Sequence, residues 1–113
     1  MSDSVIDAYI FNEVKGLMED AMGSFINTFV GNSPKMIQQI ELALENGDVE
    51  TLYLSAHQLK GGSSSIGALK LSDLAFKIEK AGRAGETDSI PPLIDQLKSE
   101  YQAVETELKN MSL

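Results

Sequence analysis

His57 is the only histidine in this chain of 113 residues, and it is the side chain with the most chemistry to offer. An imidazole has a reference pKa of about 6.5, so its neutral, nucleophilic form is substantially available at neutral pH. A lone histidine on a helix surface is nevertheless usually a tolerated surface residue. The residues around His57 therefore decide whether it has a functional role.

The charge around His57 differs in sign from that of the remaining chain. From Ala56 to Gly85 there are 5 basic and 2 acidic residues, a net charge of +3, whereas the remainder has 4 basic and 15 acidic residues, a net charge of −11. The five basic residues are Lys60, Lys70, Lys77, Lys80 and Arg83. A solvated, salt-bridged face would explain such a cluster. Positive charge beside one histidine also suits an anionic group brought to that place.

Five small residues, Gly61 to Ser65, follow Lys60 within a segment whose flanking pattern predicts a helix. A glycine in mid-helix costs roughly 0.5 to 1 kcal/mol relative to alanine, so these glycines need a compensating reason. One such reason is the close approach of another molecule. The other is close packing of a neighbouring helix, which Ser63 would serve. A phosphate-binding loop does not fit, because no strand precedes the glycines and no Lys-Ser or Lys-Thr pair follows them.

Length and composition limit the classes of protein that fit. A chain of 113 residues predicts one domain, residues 1–113, and its hydrophobic fraction of 42% predicts that it folds. The net charge of −8 argues against nucleic acid as a partner, and the absence of cysteine excludes disulfides and thiolate chemistry. The acidic N-terminus lacks a secretory-signal pattern, and no window approaches the roughly 18 apolar residues of a membrane span. We therefore expect a cytoplasmic protein without membrane association, and a monomer.

Apolar residues recur at helical spacing through nearly the whole chain, which predicts an all-α fold. Short connections between the helical segments favour an antiparallel four-helix bundle with a short additional N-terminal helix. The five predicted segments run from Ile6 to Lys15, Glu19 to Glu45, Asp48 to Gly67, Leu71 to Ala84, and Ile90 to Leu108.

A few residues mark the predicted helix ends. Ser4 and Asp7 are placed as the N-cap and a first-turn acid of the first helix. Gly47 suits the left-handed position that ends a helix, Asp48 suits the N-cap of the next one, and Gly85 ends the fourth.

Pro34 interrupts the second predicted helix. It has no N–H group to donate to the carbonyl of Val30, and its ring crowds that turn. We therefore expect a kink or a break at Pro34.

Helical geometry also predicts where His57 points. At about 100° per residue, His57 lies roughly 130° from the centre of the apolar stripe of its helix, and so on the solvent face. The stripe consists of Leu52, Ala56, Leu59 and Ser63. Residues near His57 on the solvent face are Tyr53, Gly61 and Ser64, with Lys60 at the boundary.

The segment from Ala56 to Leu71 reads AHQLKGGSSSIGALKL, and Leu74 and Ile78-Glu79 follow it. This long motif resembles the signature of histidine-containing phosphotransfer (HPt) domains, and a looser likeness extends over nearly the whole chain. The resemblance implies a four-helix bundle with a short leading helix.

The resemblance also implies roles for individual residues. His57 matches the phosphorylated histidine, Lys60 the lysine beside the phosphoryl group, and Glu79 the residue that holds the imidazole through its other nitrogen. The residues expected to dock a receiver domain are Gly61, Ser64 and Gln58. At Gly62 the chain departs from the family, which often has serine there.

A protein of this family would be a phosphorelay intermediate. His57 would accept a phosphoryl group from the aspartyl phosphate of a hybrid sensor kinase's receiver domain and pass it to the receiver domain of a response regulator. Lys60 can stabilise charge on the phosphoryl oxygens, and Glu79 can fix the tautomer that leaves the attacking nitrogen free. Neither a nucleotide site nor a magnesium-binding carboxylate cluster is evident. We therefore expect no ATP-dependent kinase activity and no cofactor, with Mg²⁺ held by the receiver domain.

Other function classes fit less well. A metal enzyme is disfavoured by the single histidine, the absence of cysteine, and Leu54 at the position where a di-iron bundle needs glutamate. A Ser-His-acid hydrolase needs its serine at a strand-to-helix turn, and no strand is predicted. An acidic helical adaptor of the same fold that is not phosphorylated stays open as the alternative. Such an adaptor has no reason to keep the matching site residues together.

Overall fold

Five α-helices account for most of the computed structural model, which describes residues 4–111. They are α1 (Ala8–Met18), α2 (Met22–Asn46), α3 (Val49–Ser65), α4 (Leu69–Ala84) and α5 (Ile90–Asn110). Short 3₁₀ turns at Glu19–Ala21 and Thr87–Ser89 precede α2 and α5. No β-strand occurs within residues 4–111, and the all-α prediction is confirmed. Met1 to Asp3, part of the N-terminus interpreted above, and the last two residues lie outside the described residues.

Helices α2 to α5 form a four-helix bundle in which α3 packs against α2 and α4, while α5 contacts both α4 and α2. The connections from α2 to α3 and from α3 to α4 are only a few residues long. Because the connected helices also pack side by side, these neighbours run antiparallel. The core is built from apolar side chains at helical spacing, among them Ile40, Leu52, Leu59, Leu71, Ile78, Leu97 and Val104. This is the predicted architecture. Within residues 4–111, no helix is long and apolar enough to span a bilayer.

The predicted caps at the end of α2, the start of α3 and the end of α4 are present. Gly47 follows α2 with φ 70°, and Gly85 follows α4 with φ 74°, both in the left-handed region that glycine tolerates without strain. Asp48 is the N-cap of α3, and its carboxylate accepts a hydrogen bond from the Thr51 backbone N–H at 3.2 Å.

The start of α1 differs from the prediction. Asp7 is the N-cap, since its carboxylate accepts a hydrogen bond from the Ile10 backbone N–H at 3.0 Å. The predicted cap, Ser4, instead donates its hydroxyl proton to the carboxylate of Glu107 on α5. The assignment of Ser4 was wrong because α1 begins only at Ala8, so Ser4 lies too early in the chain to cap it and its hydroxyl accepts a hydrogen bond from the Ile6 N–H instead. Asp7 also anchors α1 to the α3–α4 connection, where its N–H donates to the Gly67 carbonyl at 2.8 Å.

Helix α2 continues without a break through Pro34 to Asn46, so the predicted break is absent. The carbonyl of Val30, which Pro34 cannot serve, accepts a hydrogen bond from the Tyr101 hydroxyl of α5 at 3.3 Å. A hydrogen-bonding partner from another helix therefore replaces the donor that Pro34 lacks.

Candidate functional site

His57 lies on α3 with its side chain 55% exposed. The stripe residues Leu52, Ala56, Leu59 and Ser63 on the same helix are buried. The structure therefore places His57 on the solvent face, as its helical position predicts. An exposed imidazole on a regular helix is accessible to a second protein.

Glu79 on α4 is the partner of His57. Its carboxylate is buried, and Oε2 lies 3.1 Å from His57 Nδ1. An ionised carboxylate can only accept a hydrogen bond, so Nδ1 carries the proton and donates it. In the neutral ring, Nε2 then has a free lone pair. Within residues 4–111, Nε2 has no hydrogen-bonding partner.

Two cations hold the Glu79 carboxylate in its ionised form. Lys60 Nζ lies 3.2 Å from Oε1, and Arg83 Nε donates to Oε2 at 3.1 Å. Burial acts to raise the pKa of Glu79, but the hydrogen bonds from Arg83, Lys60 and His57, together with the Lys60 charge, outweigh it. The pKa of Glu79 therefore lies below its usual value, and the carboxylate is charged at neutral pH.

Aromatic rings support both cations. Lys60 Nζ lies 4.8 Å from the centroid of the Phe76 ring, and Lys80 Nζ lies 4.6 Å from the same centroid. The guanidinium carbon of Arg83 lies 4.2 Å from the centroid of the Tyr53 ring. Such cation–π contacts restrict long side chains that would otherwise move freely in solvent.

The predicted docking residues lie on the same exposed face of α3 as His57 but do not contact Glu79. Gly61, Ser64 and Gln58 are all exposed. A Cβ atom on Gly61 would meet nothing within 4 Å, so packing inside the protein does not require glycine there. At Gly62 a Cβ would lie 3.5 Å from the Phe29 ring of α2, an ordinary contact. Helix α3 runs through both glycines to Ser65.

Beside these residues, a shallow apolar groove lies on the surface where α2 and α3 meet. Its lining residues include Phe25, Phe29, Met36, Gln58, Leu59 and Gly62. The groove offers apolar surface beside Gln58, the residue that follows His57 in the chain.

Arg83 and Tyr53 belong to the site although the sequence reasoning assigned them no role in it. Arg83 follows Glu79 by four residues, which is a spacing at which ion pairs form along a helix. That spacing is the feature of the sequence that could have indicated the contact. The structure also refines the expectation for Lys60, whose ammonium is paired with Glu79 rather than left free.

The arrangement supplies a nucleophilic nitrogen, a carboxylate that fixes its tautomer, and two cations, Lys60 and Arg83, paired with that carboxylate. The part of the chain that the structure describes has no cluster of three or more His, Asp or Glu side chains that could hold a metal ion. The site is therefore suited to accepting an anionic group that another molecule presents.

Comparison with known proteins gives consistent matches. The family model of the Hpt domain matches residues 24–107. Histidine-containing phosphotransfer protein 2 of Arabidopsis thaliana is 30% identical over 108 residues, which cover 89% of this chain and 69% of that protein. A phosphorelay intermediate protein of Candida albicans is 28% identical over 81 residues, or 69% of this chain and 44% of that protein.

A solved structure is also similar over nearly its whole length. Histidine-containing phosphotransfer protein B of Pseudomonas aeruginosa aligns with a TM-score of 0.91 and 32% identity, covering 96% of this chain and 94% of the other. That alignment includes the leading helix as well as the four helices of the bundle.

Proposed function

This chain belongs to the Hpt domain family, and on that premise we propose that it is a phosphorelay intermediate that carries a phosphoryl group on His57. It accepts the group from the aspartyl phosphate of a hybrid sensor kinase's receiver domain and passes it to the receiver domain of a response regulator. The observation that supports this function most directly is the hydrogen bond from His57 Nδ1 to Glu79, which leaves Nε2 as the free nitrogen.

The transfer step follows from this geometry. The Nε2 lone pair attacks phosphorus, the bond between phosphorus and the aspartyl oxygen breaks, and the receiver's carboxylate leaves with the electron pair. The ring keeps its proton on Nδ1 and becomes cationic, so the charged Glu79 stabilises the product. Lys60 can turn from Glu79 towards the phosphoryl oxygens, because its side chain is 30% exposed. Return of the group to a second receiver reverses these steps.

The protein needs its partner to complete the chemistry. We assign it no ATP-dependent kinase activity and no cofactor, and we place the Mg²⁺ required for transfer on the receiver domain. The exposed face around Gly61, with Ser64 and Gln58, serves as the docking surface. In this proposal the protein acts as a cytoplasmic monomer.

Incubation with a phosphorylated receiver domain and Mg²⁺ tests the function. We expect an acid-labile, alkali-stable phosphate on this protein, and no label from ATP alone. His57→Gln should abolish the label while leaving the helical circular dichroism unchanged, because an exposed side chain contributes little to the core. Labelling from ATP alone would make the protein a kinase, and phosphate on the variant would exclude His57 as the acceptor. Receiver binding without any label would favour the adaptor function.

A further inference from the structure

One oxygen of Glu79 serves two donors. His57 Nδ1 and Arg83 Nε both lie 3.1 Å from Oε2, while Lys60 Nζ lies 3.2 Å from Oε1. Because the buried carboxylate carries a single charge, the imidazole and two cations share it. The division of that charge determines how strongly Glu79 favours a second proton on the ring.

Arg83 contacts α3 as well as Glu79, and this second contact restricts its side chain. Its guanidinium stacks on Tyr53, which precedes His57 by one helical turn on α3. Helices α3 and α4 are close at this point, since a Cβ on Gly82 would lie 3.2 Å from the Tyr53 Cβ.

The second cation on Glu79 has another task. Under the proposed function, Lys60 turns towards the phosphoryl group during transfer. Within residues 4–111, Arg83 is then the one cation that stays on the Glu79 carboxylate.

The protonation state of the ring matters for the nucleophile. A carboxylate beside an imidazole, when nothing balances its charge, favours the imidazolium form. An imidazolium has protons on both nitrogens, so Nε2 would have no lone pair to attack phosphorus. A guanidinium bonded to the same carboxylate oxygen opposes this second protonation through like-charge repulsion.

Resting on the proposed function, we propose that Arg83 is a positioning residue that acts through Glu79: it balances the carboxylate charge and thereby opposes a second proton on the His57 ring, so that Nε2 keeps the lone pair that attacks phosphorus. The charged groups that face His57 and Glu79 are Lys60 from α3 and Arg83 from α4. Helices α2 and α5 contribute no ion pair to either residue in the part of the chain described.

Nuclear magnetic resonance tests the proposal without any phosphotransfer. The chain has one histidine, so its ring protons give a single set of resonances whose positions follow protonation. In Arg83→Gln the midpoint of this titration should move to higher pH by about 0.5 to 1 unit, because partial exposure of the ring screens the charges. Arg83→Lys keeps the charge and should move the midpoint less. Lys80→Gln, which removes a cation that contacts Phe76 rather than Glu79, is the matched control and should leave it in place.

A second measurement follows the consequence for reactivity. Phosphoramidate is a small phosphodonor that needs no docking surface: Nε2 attacks phosphorus, the P–N bond breaks, and the protonated nitrogen leaves as ammonia. We expect the labelling rate of Arg83→Gln relative to the parental protein to be several-fold lower near pH 6. At pH 8.5 the ratio should return to one or rise above it, since the stronger carboxylate then favours the cationic product.

The outcomes separate this inference from the proposed function. An unchanged titration midpoint in Arg83→Gln would overturn it, as would an equal shift in Lys80→Gln. A rate ratio equally low at every pH would also overturn it, because a merely structural role of Arg83 predicts that result. A parental protein that takes up no phosphate at any pH would instead refute the proposed function, and the titration midpoints would still decide the role of Arg83.

Discussion

At the scale of single residues, the proposed role of Lys60 in transfer can be separated from a role in docking. Lys60 is paired with Glu79 in this structure, and it is expected to face the phosphoryl oxygens during transfer. Lys60→Ala leaves Glu79 with Arg83 and His57 as partners, so the fold and the tautomer should survive. The variant lacks the charge that Lys60 is proposed to bring to the transition state. We expect single-turnover transfer to slow by about tenfold or more, with receiver affinity nearly unchanged.

Titration of the receiver and single-turnover transfer, measured on the same protein, check this prediction. A loss of affinity in proportion to the loss of rate would show that Lys60 acts in docking instead.

Gly61 offers a second test on the same face of α3. Because a Cβ there meets nothing within 4 Å, Gly61→Gln should be accepted by the fold and should stabilise the helix by roughly 0.5 to 1 kcal/mol. The glutamine side chain would project from the proposed docking surface into the space that the receiver domain occupies, so transfer should be blocked. Gly61→Ala gives the same gain for the helix with little bulk, and should retain most of the transfer. Transfer by Gly61→Gln at the parental rate would contradict the docking role.

The sequence motif grouped His57, Lys60 and Glu79, which the structure places in contact, but it did not include Arg83 and Tyr53. The spacing of His57, Lys60 and Glu79 matches a long motif, and that motif indicated which residues to bring together. The contribution of Arg83 depends on which face of α4 meets α3 and on the position of Tyr53. Charge spacing alone does not distinguish an ion pair within the site from one on a solvent-exposed helix face.

At the scale of helices, α2 shows where a local rule fails, since the break expected at Pro34 is absent. Pro34 was expected to kink or break the helix because the Val30 carbonyl loses its partner. The replacement donor, Tyr101, lies 71 positions further along the chain, so no local pattern could reveal it. The helices predicted from apolar spacing alone, by contrast, were found with shifts of a few residues at their ends.

The Tyr101 hydrogen bond predicts a coupling between two helices. Tyr101→Phe leaves the Val30 carbonyl without a partner and should lower the free energy of unfolding by about 1 kcal/mol. In the Pro34→Ala background, the backbone N–H of the new alanine can donate to the Val30 carbonyl. Tyr101→Phe should therefore lower the free energy of unfolding by less in that background. Urea unfolding of the four proteins of this double-mutant cycle measures the coupling. An equal cost in both backgrounds would mean that the hydroxyl does not compensate for Pro34.

At the scale of the whole molecule, stability should depend on pH at both extremes. Burial, with a smaller contribution from the charge of Glu105, raises the pKa of Tyr101 to about 12. A hydrogen bond to Glu41 raises the pKa of Lys98. Groups whose pKa is raised on folding stabilise the protein below their unfolded pKa, and this contribution is lost as the pH rises through the folded value. The alkaline loss should therefore begin near pH 10.

At acid pH, Glu79 contributes to the loss of stability. Its pKa is lowered in the folded protein, because hydrogen bonds from Arg83, Lys60 and His57 outweigh the effect of burial. Its stabilising contribution is therefore present above the unfolded pKa of 4.5 and is lost as the pH falls through the lower folded value. Glu79→Gln should be less stable than the parental protein at pH 7. The difference in the free energy of unfolding between the two proteins should narrow between pH 5 and pH 3. Urea unfolding at each pH measures it. Asp48→Asn is the control. It removes an exposed carboxylate at the N-cap of α3, whose pKa is lowered by hydrogen bonds from Thr51, and so measures how much of the acid effect comes from capping. If the difference in the free energy of unfolding between the parental protein and Glu79→Gln stays constant down to pH 3, protonation of the buried carboxylate does not weaken the fold.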